Sequence, residues 1–307
     1  MKKFFIALSL LMSSFLLNAQ QDLMLSQQFF SRINKNPAGT GNICDIDAFL
    51  LGRYQWADME DSPKSGVLNV QTFRSKINSG FGFTMSFDDL GVAKHMFNPK
   101  AVYAYDLKLQ DEMILSLGLS AGIQYGYFDP TKYTLEDATE IDDGDFPDTK
   151  QTKVRPDFDF GVEFITPRIL IGASVTHLVE DEATTLINDR HIYVYGRYIF
   201  TLNSNWDLAP ALTWMHKDKV NVTELNAIAF YKRLFWGGLT YHPDLNDTFG
   251  TNPLAINLGL EFQNFRIGYV FDYNFGTVAH YSKTAHELML SYSFRTKNSA
   301  PNYDRFE

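Results

Sequence analysis

Between Met113 and Tyr127 every second residue is apolar or aromatic: Met113, Leu115, Leu117, Leu119, Ala121, Ile123, Tyr125, Tyr127. The positions between them, from Ser116 to Gly126, read Ser, Gly, Ser, Gly, Gln, Gly. Side chains of a strand alternate between two faces, so this stretch has one continuous apolar face and one small, polar face, which a helix would mix. The same period of two returns at Phe81–Phe87, at Phe158–Phe164 with Asp157, Asp159 and Glu163 in the gaps, at Leu254–Phe262, at Ile267–Phe275 and at Leu288–Phe294. Turn signals such as Asp61-Ser62-Pro63, Asn78-Ser79-Gly80 and Asn203-Ser204-Asn205 divide the runs.

Counted this way, strands are expected near 45–57, 64–74, 79–88, 95–108, 112–127, 155–166, 168–179, 190–202, 206–216, 220–232, 234–242, 254–264, 265–275 and 285–295. Most reach the roughly 10 residues a tilted strand needs to cross a bilayer, whereas strands of soluble proteins average about 5 or 6. The predicted fold is all-β: a transmembrane, outer-membrane antiparallel barrel of about 14 strands, closed by an even count. A secreted sandwich would also alternate. It would not keep one face apolar over eight alternate positions, nor end such faces on Tyr125, Tyr127, Trp214 and Tyr292, the residues of an interfacial girdle.

Composition sharpens this picture. Aromatic residues make up 15% of the 307 residues, yet mean hydropathy is only -0.19, as expected when lipid-facing and lumen-facing residues alternate. The one long apolar run, Phe4–Leu17, follows Lys2-Lys3 and precedes Asn18-Ala19-Gln20. It is shorter than a spanning helix and reads as a signal peptide over 1–19, cleaved near Ala19. The remaining chain divides into an N-terminal periplasmic segment over 20–44, a barrel over 45–295 and a polar tail over 296–307. A net charge of -9 without any Lys/Arg block excludes a nucleic-acid partner. The lone Cys44 has no partner for an internal disulfide and suits a small buried position.

Candidate chemistry is sparse, and no catalytic, cofactor or metal residue is assigned. Gly118-Leu119-Ser120-Ala121-Gly122 matches the nucleophile elbow Gly-x-Ser-x-Gly, but that motif needs a strand-to-helix turn and Ser120 lies mid-strand. His286-Glu287 lacks the second histidine of a helical zinc motif, and the other histidines are scattered. The segment Glu136–Asp148 carries seven Asp or Glu and reads as a solvated loop without EF-hand spacing. Asp157, Asp159 and Glu163 face the lumen, where they either bias a pore toward cations or are simply wet.

Two groups of residues carry a resemblance. The N-terminal stretch Gln21-Asp22-Leu23, Ser26-Gln27-Gln28-Phe29-Phe30 and Asn36-Pro37-Ala38-Gly39-Thr40-Gly41 resembles the opening of the PorP/SprF family of type IX secretion membrane proteins, with Leu23 and Gln28 departing from the usual Pro and Tyr. The closing stretch Arg266-Ile267-Gly268-Tyr269, Asp272-Tyr273-Asn274 and His286-Glu287-Leu288 is similar to the family's ending. The resemblance implies a non-enzymatic barrel in the outer membrane that receives or anchors exported surface proteins, gliding adhesins among them. Implied partners are a cargo protein with a type IX C-terminal signal domain, other components of the machine in outer membrane and periplasm, and the lipid bilayer. It marks Asn36, Pro37, Ala38, Gly39, Tyr273, His286 and Glu287 as signature positions for structure or partner contact, the first four as a turn just before the first strand. A porin or hydrophobic-solute barrel shares the alternation and size and stays open as the alternative.

The alternation predicts that the chain is recovered in outer membranes with β-type circular dichroism and migrates differently on gels with and without heating. Recovery as a detergent-free soluble monomer would contradict it. A second expectation sets Leu119→Arg, on the apolar face, as more damaging than Ser120→Arg.

Overall fold

In the computed structural model, residues 25–294 are described apart from 42–45, 60, 92, 111, 133–148, 181–185, 218–219, 233, 244–252, 276 and 281. The alternating segments become fourteen antiparallel strands. These are β1 (Ile46–Gln55), β2 (Lys64–Arg74), β3 (Ser79–Asp89), β4 (Lys94–Gln110), β5 (Met113–Phe128), β6 (Gln151–Ile165) and β7 (Ile169–Thr176). Then follow β8 (His191–Tyr198, resuming at Phe200–Thr201), β9 (Trp206–Lys217), β10 (Val220–Tyr231), β11 (Phe235–Tyr241), β12 (Pro253–Phe262), β13 (Phe265–Asn274) and β14 (Thr284–Phe294). Each strand pairs with its neighbours in sequence, and β14 pairs with β1 from Ile46↔Phe294 to Gln55↔Ala285, which closes the sheet into a barrel.

Two boundaries differ from the sequence reading for local reasons. β6 begins at Gln151 rather than near 155, because Thr152 and Val154 continue the register against Tyr127 and Tyr125. β7 stops at Thr176 instead of reaching 179. His177 turns to a φ of 55° and donates its backbone N–H to Asp159 Oδ1 at 3.0 Å, which takes it out of the ladder.

The two rims are unlike. At one, the strands are joined by residues 75–78, 111–112, 166–168, 202–205, 232–234 and 263–264; at the other by 56–63, 90–93, 129–150, 177–190, 218–219, 242–252 and 275–283. In barrels of this class the short turns face the periplasm and the longer loops the cell surface. Tyr54, Tyr125, Trp214, Tyr241 and Tyr273 face outward near the long-loop rim, and Tyr105, Trp206, Tyr231 and Tyr292 near the short-turn rim. The girdle residues named from the sequence therefore belong to two belts, with Tyr292 in the opposite one from Tyr125. Between the belts the surface is apolar: Leu50, Leu119, Leu239, Leu258 and Leu288 are each more than half exposed, as suits contact with lipid tails.

The inner face is buried, and the filling comes from the chain's own N-terminus. Residues 25–41 hydrogen-bond to or pack against β2, β3, β5, β6, β7, β10, β11, β13 and β14. A segment that touches walls all around a closed barrel lies inside it. This corrects the placement of 20–44 as a periplasmic segment: its described part is a plug within the lumen. The sequence pattern could not reveal this, because a polar segment that pairs with water and one that pairs with a polar barrel wall have the same composition.

The wall is moulded to the plug by missing side chains. A Cβ on Gly118 would sit 2.0 Å from the Ala38 backbone nitrogen, and one on Gly161 would sit 1.9 Å from Asn36 Oδ1. Ser120 is also buried here, with its hydroxyl donating to Asp159. An arginine at Ser120 would find a packed interior rather than water, so this substitution also carries a cost, which the alternation alone does not reveal.

Leu119→Arg, in the lipid band, should cost about 2–4 kcal/mol and lower the folded fraction in reconstituted membranes. Gly118→Ala should loosen the plug and lower the temperature of the gel-shift transition. Gly52→Ala, where nothing lies within 4 Å of the added carbon, should leave that transition unchanged. Equal transitions for both glycine variants would show that the plug does not bear on the wall at Gly118.

Candidate functional site

The strongest constellation of polar residues is the joint between plug and wall. Asn36 opens a short 3-10 turn over Pro37–Gly39, and Pro37 supplies its preset φ in the first turn, where no N–H is needed. The Asn36 side chain accepts from the Ala38 N–H at 2.9 Å and donates to the carbonyls of Val162 and Ala173 at 3.1 and 3.3 Å. The Ala38 carbonyl accepts from the Ser116 hydroxyl at 2.9 Å. Asn36, Pro37, Ala38 and Gly39 thus make the turn expected of them, but they make it inside the barrel against β5, β6 and β7.

Beside this turn, Arg32 forms two hydrogen bonds to Glu163, at 2.9 and 3.1 Å, and the Tyr195 hydroxyl donates to the same carboxylate. The Lys35 ammonium lies 4.8 Å from the centre of the Tyr195 ring. Toward the short-turn rim, Phe29 and Phe30 pack on Phe230 and Trp236, with Arg197 and Arg266 stacked over the two plug rings.

The closing signature divides between the two faces of the sheet. Glu287 points inward and is almost fully buried, where it accepts the backbone N–H groups of Ser26 and Gln27 at 2.8 and 3.1 Å and ion-pairs with Arg53 of β1. Arg53 also reaches Asp272 of β13 at 2.7 Å, and Asp272 accepts from the Ser26 hydroxyl. His286 and Tyr273 point outward. His286 bonds the Tyr269 hydroxyl at 2.6 Å, and Tyr273 packs at a tilt against Phe275 in the long-loop belt. The structure brings Asn36–Gly39 and Glu287 into one plug-and-wall assembly and leaves Tyr273 and His286 apart from it. Sequence reading missed Arg32, Arg53 and Asp272. Strand parity points to Asp272, a polar position in the otherwise apolar alternation of β13, whereas Arg53 shares its face with the buried Phe49 and Leu51 and gives no such contrast.

The carboxylates considered for a cation-selective pore are bonded in place to buried side chains. The Lys100 ammonium sits 2.8 Å from both Asp157 and Asp159, and His177 and Asn98 bond Asp157 at 2.9 and 2.7 Å. Asp157, Asp159 and His177 offer ligand atoms within 4.8 Å of one another, yet the lysine already places a positive charge between the two carboxylates. Ser120, from the apparent nucleophile elbow, joins this cluster on a straight strand. Residues 186 and 188 bear on the same part of the wall. Asn188 exchanges hydrogen bonds with Gln124 and accepts from Arg155, and the Leu186 carbonyl lies against Gly126. Cavities beside the plug, lined among others by Ser31, Asn34 and Lys100 and by Phe29, Arg32 and Glu224, measure about 40 and 30 Å³. Such spaces hold a water or two.

At the long-loop rim, Asp58 accepts from the Lys283 N–H and the Thr284 hydroxyl, each at 3.1 Å, which ties two loops together and holds its carboxyl below the usual range. Asp129 is held well below that range by Thr131 and Lys150 at the base of the acidic loop. Glu136–Asp148 itself lies outside the described residues, as do the segment 1–19, the tail 296–307 and most of the loop from Asp244 to Pro253.

Among solved structures the chain is similar to the Acinetobacter baumannii outer membrane protein Omp33, at 8% identity and a TM-score of 0.51 over 83% of this chain and 100% of that one. It is also similar to CymD, described as a monoaromatic hydrocarbon channel, at 13% identity and a TM-score of 0.55 over 89% and 94%. At these identities the likeness establishes the outer-membrane barrel fold alone. No curated protein matches the sequence. The description "Type IX secretion system membrane protein PorP/SprF" matches residues 17–292, nearly the whole chain, and the chain accordingly belongs to the PorP/SprF family of type IX secretion system membrane proteins.

Proposed function

We propose that this chain is a receiving or anchoring barrel: it holds exported surface proteins at its long-loop rim after they leave the type IX machine, and it does not conduct solute. The observation that carries the reading is the filled lumen. Residues 25–41 occupy the interior, Arg32 and the Ser26 and Gln27 N–H groups are bonded to wall carboxylates, and two cavities beside the plug measure about 40 and 30 Å³. An interior occupied by residues 25–41 leaves the rim and the outer surface for binding. The rim offers the clasped loops around Asp58 and the acidic stretch from Glu136 to Asp148. The reading includes export by a signal peptide cleaved near Ala19, a cargo with a type IX C-terminal signal domain, and contacts to other components of the machine. No catalytic role is assigned to any residue.

The porin reading draws on the fold of CymD, but fold is shared by barrels of many functions. Two measurements separate the readings. Purified protein in planar bilayers should give no steady conductance above background. A strain lacking the chain should lose one or a few large surface proteins to the medium while general type IX secretion continues, measured by quantitative proteomics of surface, medium and periplasm. An unchanged surface profile together with impaired small-solute uptake would transfer the assignment to the passive transporter.

A further inference from the structure

The first and last strands of a barrel are separated by the whole chain, and their pairing is the step that removes the two sheet edges. In this protein that seam carries inward polar side chains at two nodes. Near the short-turn rim, Asp47 of β1 accepts from the Ser291 and Ser293 hydroxyls of β14, at 3.0 and 2.6 Å. Toward the long-loop rim, Arg53 of β1 meets Glu287 of β14 and Asp272 of β13. This second node is not complete within the wall. Two buried carboxylates share one guanidinium there, and the missing donors come from the plug: the N–H groups of Ser26 and Gln27 to Glu287, and the Ser26 hydroxyl to Asp272. Gly268 of β13 makes room for Gln27 at the same place, since a Cβ there would lie 2.5 Å from Gln27 Oε1.

Buried carboxylates left short of donors are strongly unfavourable, more so than an exposed pair is favourable. The wall at this node is therefore balanced only when residues 26 and 27 are seated. From this geometry we infer that the N-terminal segment latches the barrel shut: its backbone captures Glu287, Glu287 captures Arg53, and the β1–β14 seam closes along its length only around a seated plug. The inference is independent of what the rim binds. It makes the plug a permanent part of the barrel's closure rather than a gate that opens on demand.

The test uses the full chain in a Cys44→Ala background, with cysteines introduced in pairs on the outward face. Gly52→Cys with Leu288→Cys spans the seam, since the two residues are direct partners in register. Val70→Cys with Phe83→Cys, partners between β2 and β3, is the control. Directly opposed Cβ atoms lie about 4.5–5.5 Å apart, within reach of a short thiol cross-linker. The node is then broken from either side. Glu287→Gln removes the charge on the wall, and Ser26→Pro removes the backbone donor on the plug. Both variants should make the plug cleavable by added protease and lower the seam cross-link by about fivefold or more, with the control pair unaffected. An undiminished seam cross-link would overturn the inference, whether the plug has become cleavable or not. Equal loss of both pairs would indicate general misfolding and would also count against it.

Discussion

A bilayer interior offers no water to a peptide group, so every backbone N–H and C=O that enters it must be paired within the protein. For a chain that crosses by strands, that requirement is met only by a sheet without edges, and the β1–β14 pairing over the full length of both strands supplies it. The other features follow from this closure. The apolar face must point outward along all fourteen strands, so the polar face of each strand is enclosed with its neighbours' and becomes an interior. Fourteen strands enclose more space than the walls' own side chains fill, unlike an eight-stranded barrel whose interior is packed by them.

The enclosed face is not merely polar but charged, and its carboxylates are bonded to a smaller number of buried cations. Glu163 meets Arg32, Asp157 and Asp159 meet Lys100, and Glu287 and Asp272 meet Arg53. Some of these partners belong to the wall and others to the plug. The division explains why so short a segment is held without a regular helix or strand of its own: the turn at Asn36–Gly39 presents its donors and acceptors to side chains and carbonyls on three strands. Each contact is modest, but loss of either partner strands a buried polar group, so the assembly is far more sensitive to single substitutions than to added salt.

A filled interior changes what such a fold can do. Here many of the inward polar groups among the described residues are bonded to the plug or to one another. The lipid-facing surface carries His286 and Tyr273 in an aromatic belt near the long-loop rim. Family membership places this occupied barrel among the type IX secretion system membrane proteins.

Much of this was written in the sequence. A strict period of two, kept over stretches such as Met113–Tyr127, determines strand identity, the lipid face and hence the outer-membrane barrel, because a single-residue slip would invert every side chain. The order of short and long connections was legible as well, and with it the two rims. The interior was not. Whether Glu163, Asp157 and Asp159 lined water or met counter-charges depended on which strands became neighbours and on where a distant segment was placed. Asn36-Pro37-Ala38-Gly39 reads as a turn in any setting, and its location inside the barrel follows from matching donors on one part of the chain to acceptors more than a hundred residues away. Local periodicity specifies a face; only closure in three dimensions decides what that face encloses.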